Sequence, residues 1–120
     1  MLAIVCAFKD ELSGYLKSGQ FEITNQENGF RTYESKFVPE VVISEGGIGK
    51  EGSQISARLT VERFKPDLMI SAGFAGGASE GLEPGDIFIC DKLLAVEGPP
   101  FLWGKDEIFE NSGMEMVQRT

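Results

Sequence analysis

Short apolar segments separated by polar and glycine-rich stretches give the chain the pattern of a protein with both strands and helices. Residues 2–8, LAIVCAF, form a continuous apolar run of strand length, which predicts a central strand covered on both faces. Further strands are predicted at residues 21–24, 30–37 and 40–44, because turn sequences such as NQENG separate them. We expect two of these strands to form a hairpin.

Helical spacing and segment length predict two helices. At residues 10–16, two acidic residues precede apolar positions at i, i+3 and i+4, which favours a short amphipathic helix. Residues 50–64 fit strand alternation as well, but their length between two apolar strands favours a crossover helix. Strands at 67–73 and 86–94 follow, separated by a glycine-rich loop. This order predicts an α/β fold with a mixed sheet.

The last residues predict the start of another helix. Ser112 and Glu115 have the S-x-x-E spacing of a capping box, and Met114 and Val117 begin an apolar stripe. Such a helix would end after two turns at Thr120. We therefore expect the chain to be the first part of a longer protein, with a short terminal helix as the alternative.

The composition narrows the class of protein. A chain of 120 residues with 42% apolar side chains predicts one domain, residues 1–120. The net charge of −8 and the lack of a basic run argue against a nucleic-acid partner. No apolar run approaches the ~20 residues that span a bilayer, and no basic segment precedes the first apolar run, so we expect a cytoplasmic protein without a membrane partner.

Histidine is absent from the sequence, which excludes a Ser-His or Cys-His nucleophile pair within these 120 residues. Acid–base chemistry therefore falls to carboxylates. Cys6 and Cys90 are far apart, each inside an apolar run, and predict two buried thiols. No metal site and no cofactor are expected.

The stretch GIGKEG at residues 47–52 has the G-x-G-x-x-G spacing of a dinucleotide-binding turn. That interpretation needs an acid at the end of the next strand, where Ser71, Ala72 and Gly73 stand. A P-loop is also disfavoured, because Lys50 is followed by Glu51 and not by Ser or Thr.

Four segments, IVCAFKDEL, EGGIGKEGS, KPDLMISAGFAGG and LEPGDIFICD, resemble in order and spacing the N-terminal half of the nucleoside phosphorylase superfamily. The similarity is to its nucleosidase branch, the methylthioadenosine/S-adenosylhomocysteine nucleosidases, and covers residues 1 to about 94. It implies a three-layer α/β fold with a mixed, largely parallel central sheet, of which this chain would hold an incomplete, N-terminal portion.

The resemblance also implies site residues. Glu11 matches the carboxylate that orients and activates the attacking water, and Phe8 would line the pocket beside it. Ile48 would pack against the 5′ substituent of the nucleoside near the subunit contact. The loop beside the ribose and base is matched by Phe74, Ala75 and Gly76. The alternatives are that Glu11 is an ordinary first-turn acid and Phe74 a core aromatic.

The attacking nucleophile separates the two branches of the family. Phosphorylases bind the phosphate dianion with arginines, where this sequence has AFKDEL and Ser71. A carboxylate facing the nucleophile would repel phosphate and suit water. The resemblance thus implies a homodimeric, cofactor-free purine nucleosidase that cleaves the N-glycosidic bond of an adenine nucleoside such as methylthioadenosine or S-adenosylhomocysteine. The alternatives are a phosphate-dependent phosphorylase and a non-catalytic fragment.

Two departures from the family pattern limit this prediction. Phe74 stands where the nucleosidases have a serine, which leaves the substrate open. The family's general acid, its ribose-binding glutamate and its base-stacking aromatic belong to the C-terminal half. The 120-residue chain alone is therefore expected to show little or no turnover.

Overall fold

Five strands form one mixed sheet in the computed structural model, which describes residues 1–77, 80–90 and 114–118, the last as backbone only. Along the chain they are β1 (Leu2–Cys6), β2 (Glu22–Glu27), β3 (Phe30–Glu34), β4 (Val41–Glu45) and β5 (Leu68–Ser71). Across the sheet the order is β2-β3-β4-β1-β5. β1 pairs in parallel with β4 and β5, whereas β3 pairs antiparallel with β2 and β4. The mixed α/β class is confirmed, and β1 lies inside the sheet as the fourth of five strands, paired on both sides.

The chain divides into two compact units, Met1–Ala75 and Gly76–Thr120. The five-stranded sheet belongs to the first unit. The interpretation of residues 1–120 as a single domain stays a prediction. No helix among the described residues has the length and apolar character needed to cross a membrane.

The predicted hairpin is formed by β2 and β3. Its turn is shorter than the sequence pattern indicated, because β2 continues through the first part of NQENG and only Asn28 and Gly29 reverse the chain. Both residues have positive φ, 46° and 82°, which suits the two-residue Asn-Gly turn of hairpins. The hairpin supplies Tyr33, which joins Cys6 and Ile43 in the buried core.

The first predicted helix consists of two short elements. A 3-10 helix, Lys9–Leu12, leads directly into α1, Ser13–Ser18. Leu12 and Leu16 pack against the core of Cys6, Tyr33 and Ile43, as their helical spacing predicted. Glu11 is the third residue of the 3-10 helix, shortly after the end of β1.

The predicted crossover helix is α2, Lys50–Phe64, between β4 and β5. Its buried residues are Ser56 and Thr60, and the Thr60 hydroxyl lies 2.7 Å from the Ser44 hydroxyl on β4. The helix ends at Lys65, whose left-handed backbone (φ 46°) bonds back to the Val61 carbonyl. A proline follows, as the sequence predicted.

The second unit contains a two-stranded antiparallel ladder of β6 (Ile87–Cys90) and β7 (Met114–Gln118). The predicted helix beginning near Ser112 is therefore wrong. The first three residues of β7, Met-Glu-Met, alternate as in a strand, and pairing with β6 satisfies the backbone in place of the helix that the local capping pattern favoured. The prediction that Cys90 is buried is also wrong, because its side chain is exposed.

Candidate active site

A cavity of about 310 Å³ lies at the carboxyl ends of β1 and β5 and beside the start of α2. Ligands of open α/β sheets bind at this edge, where strands end and loops converge. Glu11 is the only carboxylate among the described residues that line it. The full lining consists of Val5, Cys6, Ala7, Glu11, Gly47, Gly49, Ser53, Ser56, Ser71, Ala72, Gly73 and Phe74.

Three backbone amides hold the Glu11 carboxylate. The N–H groups of Ala7 and Phe8 donate to Oε2, at 2.8 and 3.4 Å, and the N–H of Phe74 donates to Oε1 at 3.2 Å. Glu11 is the third residue of its 3-10 helix, a position from which a glutamate reaches back to the amide before the helix. The carboxylate is thus fixed between β1 and the turn after β5, facing both glycine-containing turns of the cavity.

Gly73 makes room for that carboxylate. A Cβ at this position would lie 2.6 Å from Glu11 Oε1, which is closer than carbon and oxygen atoms tolerate. Its backbone does not have positive φ, so the glycine is required by the neighbouring side chain and not by the turn itself. The sequence identified this loop but not the reason for its first glycine.

A second carboxylate, Glu45, was missed in the sequence. It is the last residue of β4 and only 8% exposed. It accepts hydrogen bonds from the backbone N–H of Lys9 at 2.6 Å and from the Tyr33 hydroxyl at 2.9 Å, and Arg31 Nη1 lies 3.5 Å away. An acidic residue ending an apolar strand directly before a glycine turn is the sequence signal that could have found it.

Two acidic groups near Glu45 have raised pKa values, and burial is the first cause of both shifts. Burial raises the pKa of Tyr33, and its hydrogen bond to Glu45 raises this pKa further. Burial raises the pKa of the Cys6 thiol to about 12, with the charges of Glu45 and Glu11 adding to the effect. Cys6 was predicted to be buried, which is confirmed. A thiol of this kind stays neutral near pH 7 and is not a nucleophile.

The other predicted site residues differ in whether they line the cavity. Phe74 lines the cavity and is 70% exposed, so it does not belong to the core of the described residues. The Phe8 ring meets it edge-on, with centroids 6.3 Å apart, but does not line the cavity. Ile48 is 82% exposed between the cavity-lining Gly47 and Gly49. Ala75 ends the first unit and Gly76 begins the second.

The glycines of residues 46–52 serve the packing of α2. A Cβ at Gly52 would lie 2.6 Å from the Gly46 carbonyl oxygen, and one at Gly46 would overlap the Ser56 side chain. Gly47 and Gly49 have φ of 84° and 105°, a region that favours glycine. The last glycine of this motif is thus needed where the helix touches the strand end.

A carboxylate that backbone amides orient at the edge of a cavity has the chemistry to accept a proton from water. Residues 1–117 match the family described as the phosphorylase superfamily. The chain belongs to this superfamily.

Among the relatives, the 5′-methylthioadenosine/S-adenosylhomocysteine nucleosidase of Lysinibacillus sphaericus (strain C3-41) is 36% identical over 123 residues, covering 99% of this chain and 52% of the relative. The nucleosidase of the same name from Listeria welshimeri is 50% identical over 54 residues, 45% of this chain and 23% of the relative. The chain thus spans about half, or less, of the curated relatives it matches.

Solved structures give the same result. The nucleosidase of Neisseria meningitidis, in complex with methylthio-immucillin-A, is similar with a TM-score of 0.61 and 25% identity, over 74% of this chain and 38% of that one. The Streptococcus pneumoniae nucleosidase with the transition-state inhibitor MT-ImmA has a TM-score of 0.61 and 27% identity, over 74% and 39%. The resemblance drawn from the sequence is confirmed.

Proposed function

We propose that this chain is the N-terminal part of a purine nucleosidase, which cleaves the N-glycosidic bond of an adenine nucleoside by attack of water. The observation that carries the proposal is the Glu11 carboxylate, held by three backbone amides at the cavity. The carboxylate accepts three N–H groups with about four lone-pair sites, which leaves one to accept a proton from water. The names of the relatives support methylthioadenosine or S-adenosylhomocysteine as substrates.

Hydrolysis is favoured over phosphorolysis by the charge of the cavity. Among the described residues that line it, none is an arginine or a lysine, and Glu11 carries negative charge. A phosphate dianion placed there would meet a like charge without a cationic partner, whereas a neutral water would not. Phosphorolysis therefore stays the alternative.

The remaining predicted residues have proposed roles in binding. Phe8 and Phe74 form an aromatic edge beside Glu11 and would contact the sugar or base. Ala75 and Gly76 would continue that loop along the substrate. Ile48, an exposed apolar side chain beside the cavity, would contact the 5′ substituent near a second subunit of a homodimer, which sedimentation velocity can check. A cytoplasmic location stays a prediction, to be checked by fractionation.

The test uses a hybrid enzyme, because this chain alone is expected to release little or no base. The chain replaces the matched half of the Lysinibacillus sphaericus nucleosidase, and adenine release from methylthioadenosine is measured with and without phosphate. We expect activity that does not need phosphate. Glu11→Gln should lower kcat by about 10²–10⁴-fold, the usual contribution of a positioned base.

Asp10→Asn is the matched control, since it removes one negative charge from the same 3-10 helix at an exposed position outside the cavity lining. It should leave kcat nearly unchanged. Full activity of a folded Glu11→Gln hybrid would contradict the role of Glu11, and strict dependence on phosphate would favour phosphorolysis.

A further inference from the structure

Three consecutive backbone N–H groups after β1 are shared between two carboxylates. Those of Ala7 and Phe8 donate to Glu11, and that of Lys9 donates to Glu45 at 2.6 Å. The Lys9 bond is the shortest of the three and joins residues 36 apart in sequence. The turn that presents Glu11 is therefore tied to β4 through Glu45.

The Glu45 end of this tie is rigid. Glu45 is the register partner of Cys6 in the parallel ladder and of Arg31 in the antiparallel one, so both neighbouring strands fix its backbone. Its Oε1 accepts from the hydroxyl of Tyr33, which is 5% exposed, while Oε2 accepts from Lys9. Its position is thus set by the sheet and not by the turn.

Glu45 does not line the cavity. We propose that Glu45 is a positioning residue for Glu11: its Oε2 fixes the Lys9 amide and thereby the two preceding amides that orient the Glu11 carboxylate. The relevance to catalysis rests on the proposed function of Glu11. Removing this acceptor leaves the Lys9 N–H without its partner and lets the turn relax, so that the Ala7 and Phe8 amides no longer converge on one oxygen.

Reach and charge can be separated at this position. Glu45→Gln keeps the length of the side chain and one carbonyl oxygen for the Lys9 N–H, and its amide can donate to the Tyr33 oxygen. Glu45→Asp keeps the charge but is one methylene shorter, which is too short to preserve the 2.6 Å contact from a fixed strand. A positioning role depends on reach, whereas a purely electrostatic role depends on charge.

The first measurement needs no catalysis. Amide proton shifts of Ala7, Phe8, Lys9 and Phe74 are recorded by NMR in the 120-residue chain, with Glu11→Gln as the reference for a disturbed carboxylate. We expect Glu45→Asp to move the Ala7 and Phe8 signals in the direction seen in Glu11→Gln, and Glu45→Gln to leave them near their original positions. Tyr33→Phe, which weakens the same cluster but keeps the Lys9 contact, should also leave them in place.

The second measurement uses the hybrid enzyme. Glu45→Asp should lower kcat about tenfold or more with little change in KM, because a base displaced by a fraction of an ångström loses rate and not binding. Glu45→Gln should retain most of the rate of the unchanged hybrid. Unmoved Ala7 and Phe8 signals in Glu45→Asp would overturn the proposal. So would a rate that is kept in Glu45→Asp, which keeps the charge, and lost in Glu45→Gln, which keeps the length. If Glu45→Asp moves the signals in the 120-residue chain but Glu11→Gln does not change the rate of the hybrid enzyme, only the catalytic role is overturned.

Discussion

The two glycine-containing turns that border the cavity use glycine for different physical reasons. In residues 46–52, Gly52 lets α2 approach the end of β4, where a Cβ would lie 2.6 Å from a backbone carbonyl oxygen. In the turn after β5, Gly73 leaves room for the Glu11 side chain, with a Cβ 2.6 Å from Oε1. The same distance has different consequences, because the backbone oxygen of Gly46, directly after a strand, cannot move as a side-chain oxygen can.

This difference separates stability from function. Gly52 should be required for the fold, since a Cβ there would meet only backbone atoms, those of Gly46 and Gly47. Gly73 should be required for the position of Glu11, since the side chain can rotate away at small cost to the fold. Glycine motifs of similar appearance therefore need to be interpreted by what a Cβ would meet.

Of the glycine substitutions, Gly73→Ala should give the largest effect on activity. The added methyl displaces the Glu11 carboxylate and removes its bond from the Phe74 amide. In the hybrid enzyme we expect a loss of about 100-fold in kcat, the size that a misplacement of about 1 Å can cause. The free energy of unfolding, measured with urea in the 120-residue chain, should change by less than about 1 kcal/mol.

If Gly73→Ala lowered the free energy of unfolding as strongly as it lowers the rate, with both expressed as free energies, the distinction between the two turns would be removed. Gly14→Ala serves as the control for the added methyl, because a Cβ at Gly14 meets nothing within 4 Å. Its kcat should stay unchanged.

Gly52→Ala should give the largest loss of stability, about 2 kcal/mol by urea denaturation, the usual cost of forcing a methyl into a packed contact. Helix propensity alone predicts the opposite sign, a gain of at most about 1 kcal/mol on replacing a helical glycine by alanine. Gly14→Ala, in the open helix α1, should show that gain. A gain in Gly52→Ala as well would mean that α2 does not pack against Gly46 as described.

The smallest expected effect concerns the free energy of unfolding at alkaline pH. It is absent at neutral pH. Cys6 lies on β1, the strand between the two turns, and its folded-state pKa is raised from 9.0 to about 12. A raised pKa means that the stability from the neutral thiol is fully present below about pH 9 and is lost as the pH rises toward 12. Urea denaturation should therefore show a falling free energy of unfolding over this range.

Cys6→Ala should remove part of that alkaline loss, whereas Cys90→Ala, which changes an exposed thiol, should not. At pH 7.5 a thiol reagent should modify Cys90 in the folded chain and leave Cys6 unmodified. Rapid modification of Cys6 would contradict its burial beside the cavity.

Local patterns predicted much of the first unit. The bounds of α2 matched because glycines open the segment and Lys65-Pro66 closes it, signals that act within a few residues. A hairpin between two of the three strands in residues 21–44 was predicted without naming the pair, and β2 continues further into NQENG than expected. Glu11 was predicted through the family resemblance, whose first motif, IVCAFKDEL, lies within one short segment.

Long-range pairing accounts for what was missed. Glu45 matters because Lys9 and Tyr33 meet it across the sheet, and nothing near it in sequence indicates those partners. The wrong helix near Ser112 has the same cause, since β7 is defined by its pairing with β6 and not by its own capping pattern. Contacts of this kind need the topology before they can be inferred.

The hydroxyl pair of Thr60 and Ser44 limits how α2 can turn about its own axis. Apolar side chains tolerate small rotations of a helix, but two buried hydroxyls 2.7 Å apart keep their bond over a narrow range of angles. One orientation of the helix is thereby selected. Because Gly49 and Ser53 at its beginning line the cavity, the depth at which a bound molecule meets that wall is set two to three turns away.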